Sequence, residues 1–329
     1  MLIDTASFSK RLRSRIIRHE DRSLLIARLP ESDMAKDTYT RINCSGYGRV
    51  RVFETYRLHL ESLDGSPRPL FRGHPPVRPL RTQVFQLAAC NWRCWYCYVD
   101  DDRLSADGRV ASFLSCEHLV DMFVQEPDRP DVIDLSGGQP DLAPEWNLWM
   151  MQALDRRGLR GQVFLWTDDN LSNRYLWDYL TEDNIAYMLA FPQYSRIGCF
   201  KGFDETSFVF NTGTDAQQYG AQFDVFRDLL RLGFNMYAYA TFTTPTTNNL
   251  RPLMVRFIDS LQRIHPNLPL RTIPLRIHPF TTTQLRTTEL HAAAAHNQFE
   301  AYAAWKTELA KRFSPIELRK PFDEVYLGD

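Results

Sequence analysis

Hydrophobic and polar positions follow two different periods along this chain. From residue 82 onward, short apolar runs alternate with longer amphipathic stretches, a pattern that predicts strand–helix repeats around a parallel sheet. The strands are expected at 82–89, 131–135, 162–167, 196–201, 235–243 and 268–277. Helices are expected at 116–125, 144–157, 173–180, 182–189, 217–232, 252–264 and 289–312, the last rich in Ala. Ser115 suits the N-cap of the first helix, and Gly158 and Gly233 close two others. Six such units predict an α/β fold built as a partial (β/α)6 TIM-like barrel, whose sites would gather at the carboxyl ends of the strands.

Before residue 82 the pattern changes. Residues 1–38 read as short helices and loops. Tyr39, Ile42, Val50, Val52, Tyr56, Leu58 and Leu60 come close to period two, which predicts a small sheet over 38–60. A turn at 64–67 follows, and residues 61–80 hold five of the 19 prolines, as a linker would. Three parts are therefore expected: an accessory region over 1–80, a core over 81–285 and a helical carboxyl-terminal extension over 286–329.

Composition adds limits. Apolar residues make up 44% of the 329, ample for a core, and the net charge is −1. Residues 1–80 carry 15 Lys and Arg against 9 Asp and Glu, so a basic amino-terminal part of +6 faces a remainder of −7. That ridge of charge is expected to be a solvated face, with an acidic partner as the other reading, and nucleic acid is not favoured. No run of about 20 apolar residues suggests a membrane span, and the polar, Arg-rich start does not read as a signal peptide, so a cytoplasmic protein is expected.

The cysteines carry the chemistry. Cys90, Cys94 and Cys97 stand at C-x3-C-x2-C spacing, directly after the apolar run 84–89. One tight loop can aim three such thiolates at one centre, and thiolates are the soft donors that zinc and iron–sulfur clusters take. A structural zinc site wants a fourth close ligand, and the nearest candidates, His74, Cys116 and His118, lie well away along the chain. A [4Fe–4S] cluster on three cysteines leaves one iron open. A non-catalytic zinc or iron–sulfur module stays as the alternative.

The cysteine spacing, the aromatic Tyr96 before the third cysteine and the downstream stretch Ser136-Gly137-Gly138-Gln139-Pro140 together resemble the radical SAM (S-adenosylmethionine) superfamily, over roughly residues 82–283. The resemblance implies one [4Fe–4S] cluster on Cys90, Cys94 and Cys97, with S-adenosylmethionine bound at the open iron. It also implies a 5′-deoxyadenosyl radical that abstracts hydrogen. Tyr96 would lie near the adenine. Ser136 to Pro140 would hold the amino-acid end, although Gln139 stands where the family has Glu. Asp168, Asp169 and Asn170 would meet the ribose.

Lys201 and Cys199 resemble an Asp-x-Lys pattern of the pyruvate formate-lyase activating enzyme branch, with Cys199 in the Asp position. Both are candidate catalytic residues, Cys199 as a hydrogen-atom donor and Lys201 facing an anion. Thr241, Thr243, Thr244, Arg276 and His278 are candidate pocket residues. An electron donor such as flavodoxin or ferredoxin is implied, and a protein or peptide is one possible substrate. An activase-like role and a stand-alone enzyme acting on a small molecule, peptide or RNA are both open. No cysteine follows Cys199, so one cluster is expected.

Overall fold

The computed structural model describes residues 2–37, 40–53, 80–278, 280–320 and 322–328. In chain order the strands are β1 (Ile17–Arg18), β2 (Ser23–Ala27), β3 (Arg41–Asn43), β4 (Gly48–Phe53), β5 (Leu80–Phe85), β6 (Ala111–Ser115), β7 (Val132–Leu135), β8 (Phe164–Asp169), β9 (Tyr194–Phe200), β10 (Met236–Thr241) and β11 (Thr272–Leu275). The α-helices are α1 (Thr5–Ile16), α2 (Cys116–Gln125), α3 (Glu145–Arg156), α4 (Tyr175–Tyr179), α5 (Glu182–Leu189), α6 (Glu205–Thr212), α7 (Gln217–Arg231), α8 (Leu250–Ile264), α9 (Thr281–Gln284) and α10 (Glu289–Arg312).

Among the described residues, one eight-stranded sheet runs in the order β11-β10-β9-β8-β7-β5-β4-β3. Six of its strands, β5, β7, β8, β9, β10 and β11, are parallel and lie beside one another in chain order. The fold is α/β, and the sheet is open, with β11 and β3 at its edges.

The strands alternate two buried faces, as strands of a covered parallel sheet do. One face, with Ile133, Leu135, Leu165, Phe200 and Ala240, packs under α2, α3, α7 and α8 in the main core. The other gathers Val132, Phe164, Trp166, Ile197, Cys199, Tyr237 and Tyr239. Trp305 of α10 packs on Phe257 of α8 at 5.9 Å between ring centroids, so the long last helix joins the outer layer.

Three expectations change. The small sheet expected over 38–60 is not separate where it is described: β3 and β4 form a hairpin that pairs antiparallel onto β5, with Val50 opposite Gln83. This covers an edge of β5 that would otherwise be unpaired. Residues 54–60, the turn at 64–67 and the linker prolines lie outside the described residues. The first core strand ends at Phe85 rather than residue 89, because the chain there leaves β7 and bonds to β2, through Ala27 N–H to Gln86 O and Ala88 N–H to Leu25 O. The last strand is shorter than 268–277, since Pro269 lies in a 3-10 turn over Leu268–Arg271 before β11 begins.

Two elements escaped the sequence reading. β2 and β6 pair antiparallel, with β1, in a small second sheet, and α6 follows β9. Both support the cysteine loop.

Candidate functional site

The cysteine loop leaves the carboxyl end of β5 and is braced from four directions. Arg93 folds back on it, donating to the Cys90 and Trp92 carbonyls at 2.6 and 3.0 Å and to Leu104 O at 3.2 Å. From α1, Thr5 Oγ1 accepts from Trp92 Nε1 at 3.0 Å and Ser9 Oγ accepts from Asn91 Nδ2 at 2.9 Å. The end of α6 accepts from Arg93 N–H and Trp95 N–H through the carbonyls of Thr212 and Asn211. Arg286, beyond α9, donates to the Cys97 and Val99 carbonyls and pairs with Asp101. Trp95 closes the outside by stacking on His291 of α10, at 4.6 Å and 15°.

The Gly-Gly turn lies against this loop. Gly137 and Gly138 take φ of +74° and +101°, and a Cβ on Gly138 would stand 2.4 Å from Leu87 O and 2.6 Å from Ala89 O. Only glycine allows that approach. The contact is sealed where Gln139 N–H donates to Ala89 O at 2.7 Å.

Gln139 itself is buried, and both ends of its amide are engaged: Nε2 donates to Asp169 Oδ1 and Oε1 accepts from Asn170 N–H, both at 2.8 Å. Asn170 Nδ2 then reaches Asn91 Oδ1 at 2.9 Å and lies 4.0 Å from Cys90 Sγ. Asp169 and Asp141 share one buried cation, Arg196. Ser136 Oγ donates to Asp168 Oδ2 at 2.6 Å. Pro140 opens a 3-10 turn toward Asp141.

The expected site residues therefore meet at the carboxyl ends of β5, β7, β8 and β9. Lys201, just past β9, is held by its backbone to Gln222 and Asn211. Burial works against its charge, but Cys199, Tyr96, Cys94 and Cys90 around it offset that and hold Lys201 well above the usual range. Burial pushes Cys94 up to about 12 while Lys201 pulls the other way, and Cys97 is raised chiefly by burial too. Cys94 feels both Cys90 and Cys97. Burial also raises Cys199 to about 12, so it is a protonated thiol at neutral pH, facing Lys201 and Asp168. Tyr96 donates to or accepts from Thr241 at 3.1 Å. Thr243 donates to Asn211 Oδ1 and Thr244 to Thr246 O. Arg276 lies over Phe299 of α10 and His278 beside Phe280.

Among the described residues, no three His, Cys, Asp or Glu side chains gather closely enough to hold one metal ion. A four-iron cluster takes each thiolate on a different iron and so spreads its ligands more widely than a single ion does. The donor set fits such a cluster: three half-buried thiols on one braced loop, within electrostatic reach of each other, walled by Trp95, Tyr96 and Ala294 and faced by a lysine. No described helix is long and apolar enough to cross a membrane.

The bracing residues Thr5, Ser9, Asn211 and Arg286 were not singled out from sequence. Thr5, Ser9 and Asn211 are ordinary helix residues and Arg286 a turn residue, and only their long-range partners mark them.

No protein-family model matches the chain, and no curated protein matches it. Among solved structures it is similar to Streptococcus suis SuiB bound to S-adenosylmethionine, with 11% identity and a TM-score of 0.39 over 55% of this chain and 37% of that one. SuiB bound to the precursor peptide SuiA gives 12% identity and a TM-score of 0.38, over 54% and 36% of the two chains. The similarity thus spans little more than a third of SuiB. Likeness of this degree bears on neither the reaction nor the partners of this chain.

Proposed function

We propose that this chain is a radical SAM enzyme, with one [4Fe–4S] cluster on Cys90, Cys94 and Cys97 and S-adenosylmethionine as its second cofactor. One observation carries the reading. The Gly137-Gly138 turn is pressed onto the residues that lead into Cys90, at the carboxyl edge of the six parallel strands. When bound, the two cofactors supply one-electron cleavage of the sulfonium and a 5′-deoxyadenosyl radical for hydrogen abstraction.

The chain's own residues orient and exclude water. Trp92, Trp95 and Tyr96 wall the cysteine loop. Ser136 to Pro140 supply a close backbone approach, and Asp168, Asp169 and Asn170 polar groups beside it. Lys201 offers a cation and Cys199 a protonated thiol toward the same space. Residues 81–285 form the core in this reading, 1–80 lend α1 and the β3–β4 hairpin, and 286–329 close the cysteine loop from outside. An external one-electron donor such as flavodoxin or ferredoxin reduces the cluster. The activase-like role, acting on a protein or peptide, is retained as the finer proposal.

The test uses anaerobically reconstituted protein. Expected are about four irons per chain, an EPR signal after reduction that changes with S-adenosylmethionine, and 5′-deoxyadenosine as product. One zinc per chain, a silent spectrum and no nucleoside product would return the cysteine loop to a structural module.

A further inference from the structure

Buried polar atoms nearly always have a hydrogen-bond partner, so a cluster of them without one points to a missing ligand. Such a cluster lies across β4, β5 and β7, on the sheet face that carries Val132 and Trp166. Register sets it out: Arg49 stands opposite Val84, and Val84 opposite Asp134. Thr82 is two residues from Val84 on β5, and so on the same face. All three polar side chains are buried. Arg49 Nε, Thr82 Oγ1 and Asp134 Oδ1 each lack a hydrogen-bond partner among the described residues.

Arg49 is the sharpest case, with no exposed surface. Its Nη1 donates to the Met34 thioether at 2.9 Å, a weak acceptor, and its Nη2 to the Tyr98 hydroxyl at 2.8 Å. Its guanidinium lies 4.6 Å from the centroid of the Tyr98 ring, and that of Arg51 lies 5.4 Å from the same ring. Among the described residues no carboxylate forms an ion pair with Arg49. A buried cation whose acceptors are a thioether and a phenol is costly unless an anion joins it.

Asp134 does not supply that anion. Burial holds its carboxyl well above the usual range and Asp168 adds to the rise, with Arg51 and Arg49 working against it. A carboxyl that keeps its proton is a donor, as are the Thr82 hydroxyl and Arg49 Nε. Three groups able to donate thus stand across three neighbouring strands. Tyr98 is one residue past Cys97, and Asp134 is two residues before Ser136. The cluster therefore adjoins the cysteine loop but lies one pleat deeper than the Gly-Gly turn.

We propose that Arg49, Thr82 and Asp134 form a recognition site for an oxyanion carried by the substrate, a carboxylate or a phosphate. A guanidinium takes either through two parallel N–H bonds. Tyr98 is the positioning residue that ties this site to the cysteine loop. The assignment to a substrate rests on the function proposed above; the anion site stands on the buried donors.

The experiment uses the anaerobically reconstituted full chain and two probes, inorganic phosphate and acetate, each titrated against chloride at matched ionic strength. At least one probe is expected to raise the melting temperature by about 2 °C or more, with a response that saturates. The probe with the larger response names the group. Arg49→Met keeps the length of the side chain and removes the charge. It is expected to abolish the saturable response and to melt no lower than the wild type in chloride, because an unpaired buried cation has gone. Thr82→Val, which removes only a hydroxyl, is expected to raise the half-saturating concentration by roughly five- to tenfold. It decides the matter if Arg49→Met folds poorly.

A wild-type chain with no saturable response to either probe would overturn the proposal. So would a response kept in Arg49→Met, or one unchanged in Thr82→Val. A response lost in saturating S-adenosylmethionine would give the site to that cofactor and overturn it equally. Iron content and 5′-deoxyadenosine are read on the same samples. Both present without an anion response overturn this inference alone; both absent with the response intact overturn the proposed function and the assignment of the anion to a substrate.

Discussion

Gln139 donates its side-chain amide to Asp169 at 2.8 Å, and that bond ties the Gly-Gly turn after β7 to the end of β8. Asp169 is already short of positive charge, because it shares Arg196 with Asp141. A carboxylate at 139 would be a third anion around one guanidinium. Gln139→Glu is therefore expected to lower stability by about 3 kcal/mol at pH 8, the scale of an unpaired buried charge. Chemical denaturation at pH 8 and pH 5.5 checks this. The loss should shrink at the lower pH, where the new carboxyl can take a proton.

The close approach at Gly138 gives a second expectation. Gly138→Ala adds a Cβ 2.4 Å from a backbone carbonyl at positive φ, and neither backbone can yield cheaply. The variant should lose about 3 kcal/mol or more and bind less iron than the wild type after reconstitution. Iron and sulfide analysis of the folded fraction reads the second effect.

Cysteine substitutions should divide sharply. Cys90→Ser, Cys94→Ser and Cys97→Ser are each expected to abolish the visible absorption of the reconstituted cluster. Cys44→Ser and Cys116→Ser should leave it intact, since Cys44 sits near Glu126 and Cys116 faces Trp146 O, away from the loop. An absorption spectrum of the five variants, reconstituted side by side, decides it.

The buried carboxyls at the strand ends should make a contribution to stability that falls as pH rises. Burial raises Asp141 to about 7, against the partial relief of Arg196, and burial raises Asp134 and Asp168 in the same direction. A carboxyl raised on folding holds its proton in the native state after the unfolded chain has released it. Its contribution is complete below about pH 4 and is lost toward pH 7. Asp141→Asn should flatten the slope of unfolding free energy between those values, as read from denaturant titrations at several pH values.

The amino-terminal helix should matter to the site. Thr5→Val removes the acceptor for Trp92 Nε1 and leaves a buried indole N–H unpaired, at about 1–3 kcal/mol. It should also speed loss of the cluster absorption in air, measured against the wild type.

Much of this was legible along the chain. The parallel strands after residue 82 announce themselves because each is buried on both faces and must be apolar throughout. Cys90, Cys94 and Cys97 are legible because one loop holds all three, and the paired glycines because they are neighbours. Ser115 caps α2 as expected, accepting from His118 N–H at 3.2 Å, since a cap is a contact over three residues. The β3–β4 hairpin was legible as strands but not as part of the main sheet, because pairing with β5 spans a stretch whose sequence says nothing of its destination.

What the sequence by itself determined was thus the local chemistry: an α/β period, a thiolate loop, a glycine turn and polar strand ends. Only the tertiary structure decided which of those polar groups are spent on one another. Gln139, Asp169 and Arg196 are far apart in the chain and consume each other's hydrogen bonds and charge, while Asp168, one residue from Asp169, is only half-buried and is held by Ser136. Adjacent strand residues point to opposite faces, so neighbours in sequence meet different surroundings. Burial and long-range partners, which no single stretch encodes, then set the role of each.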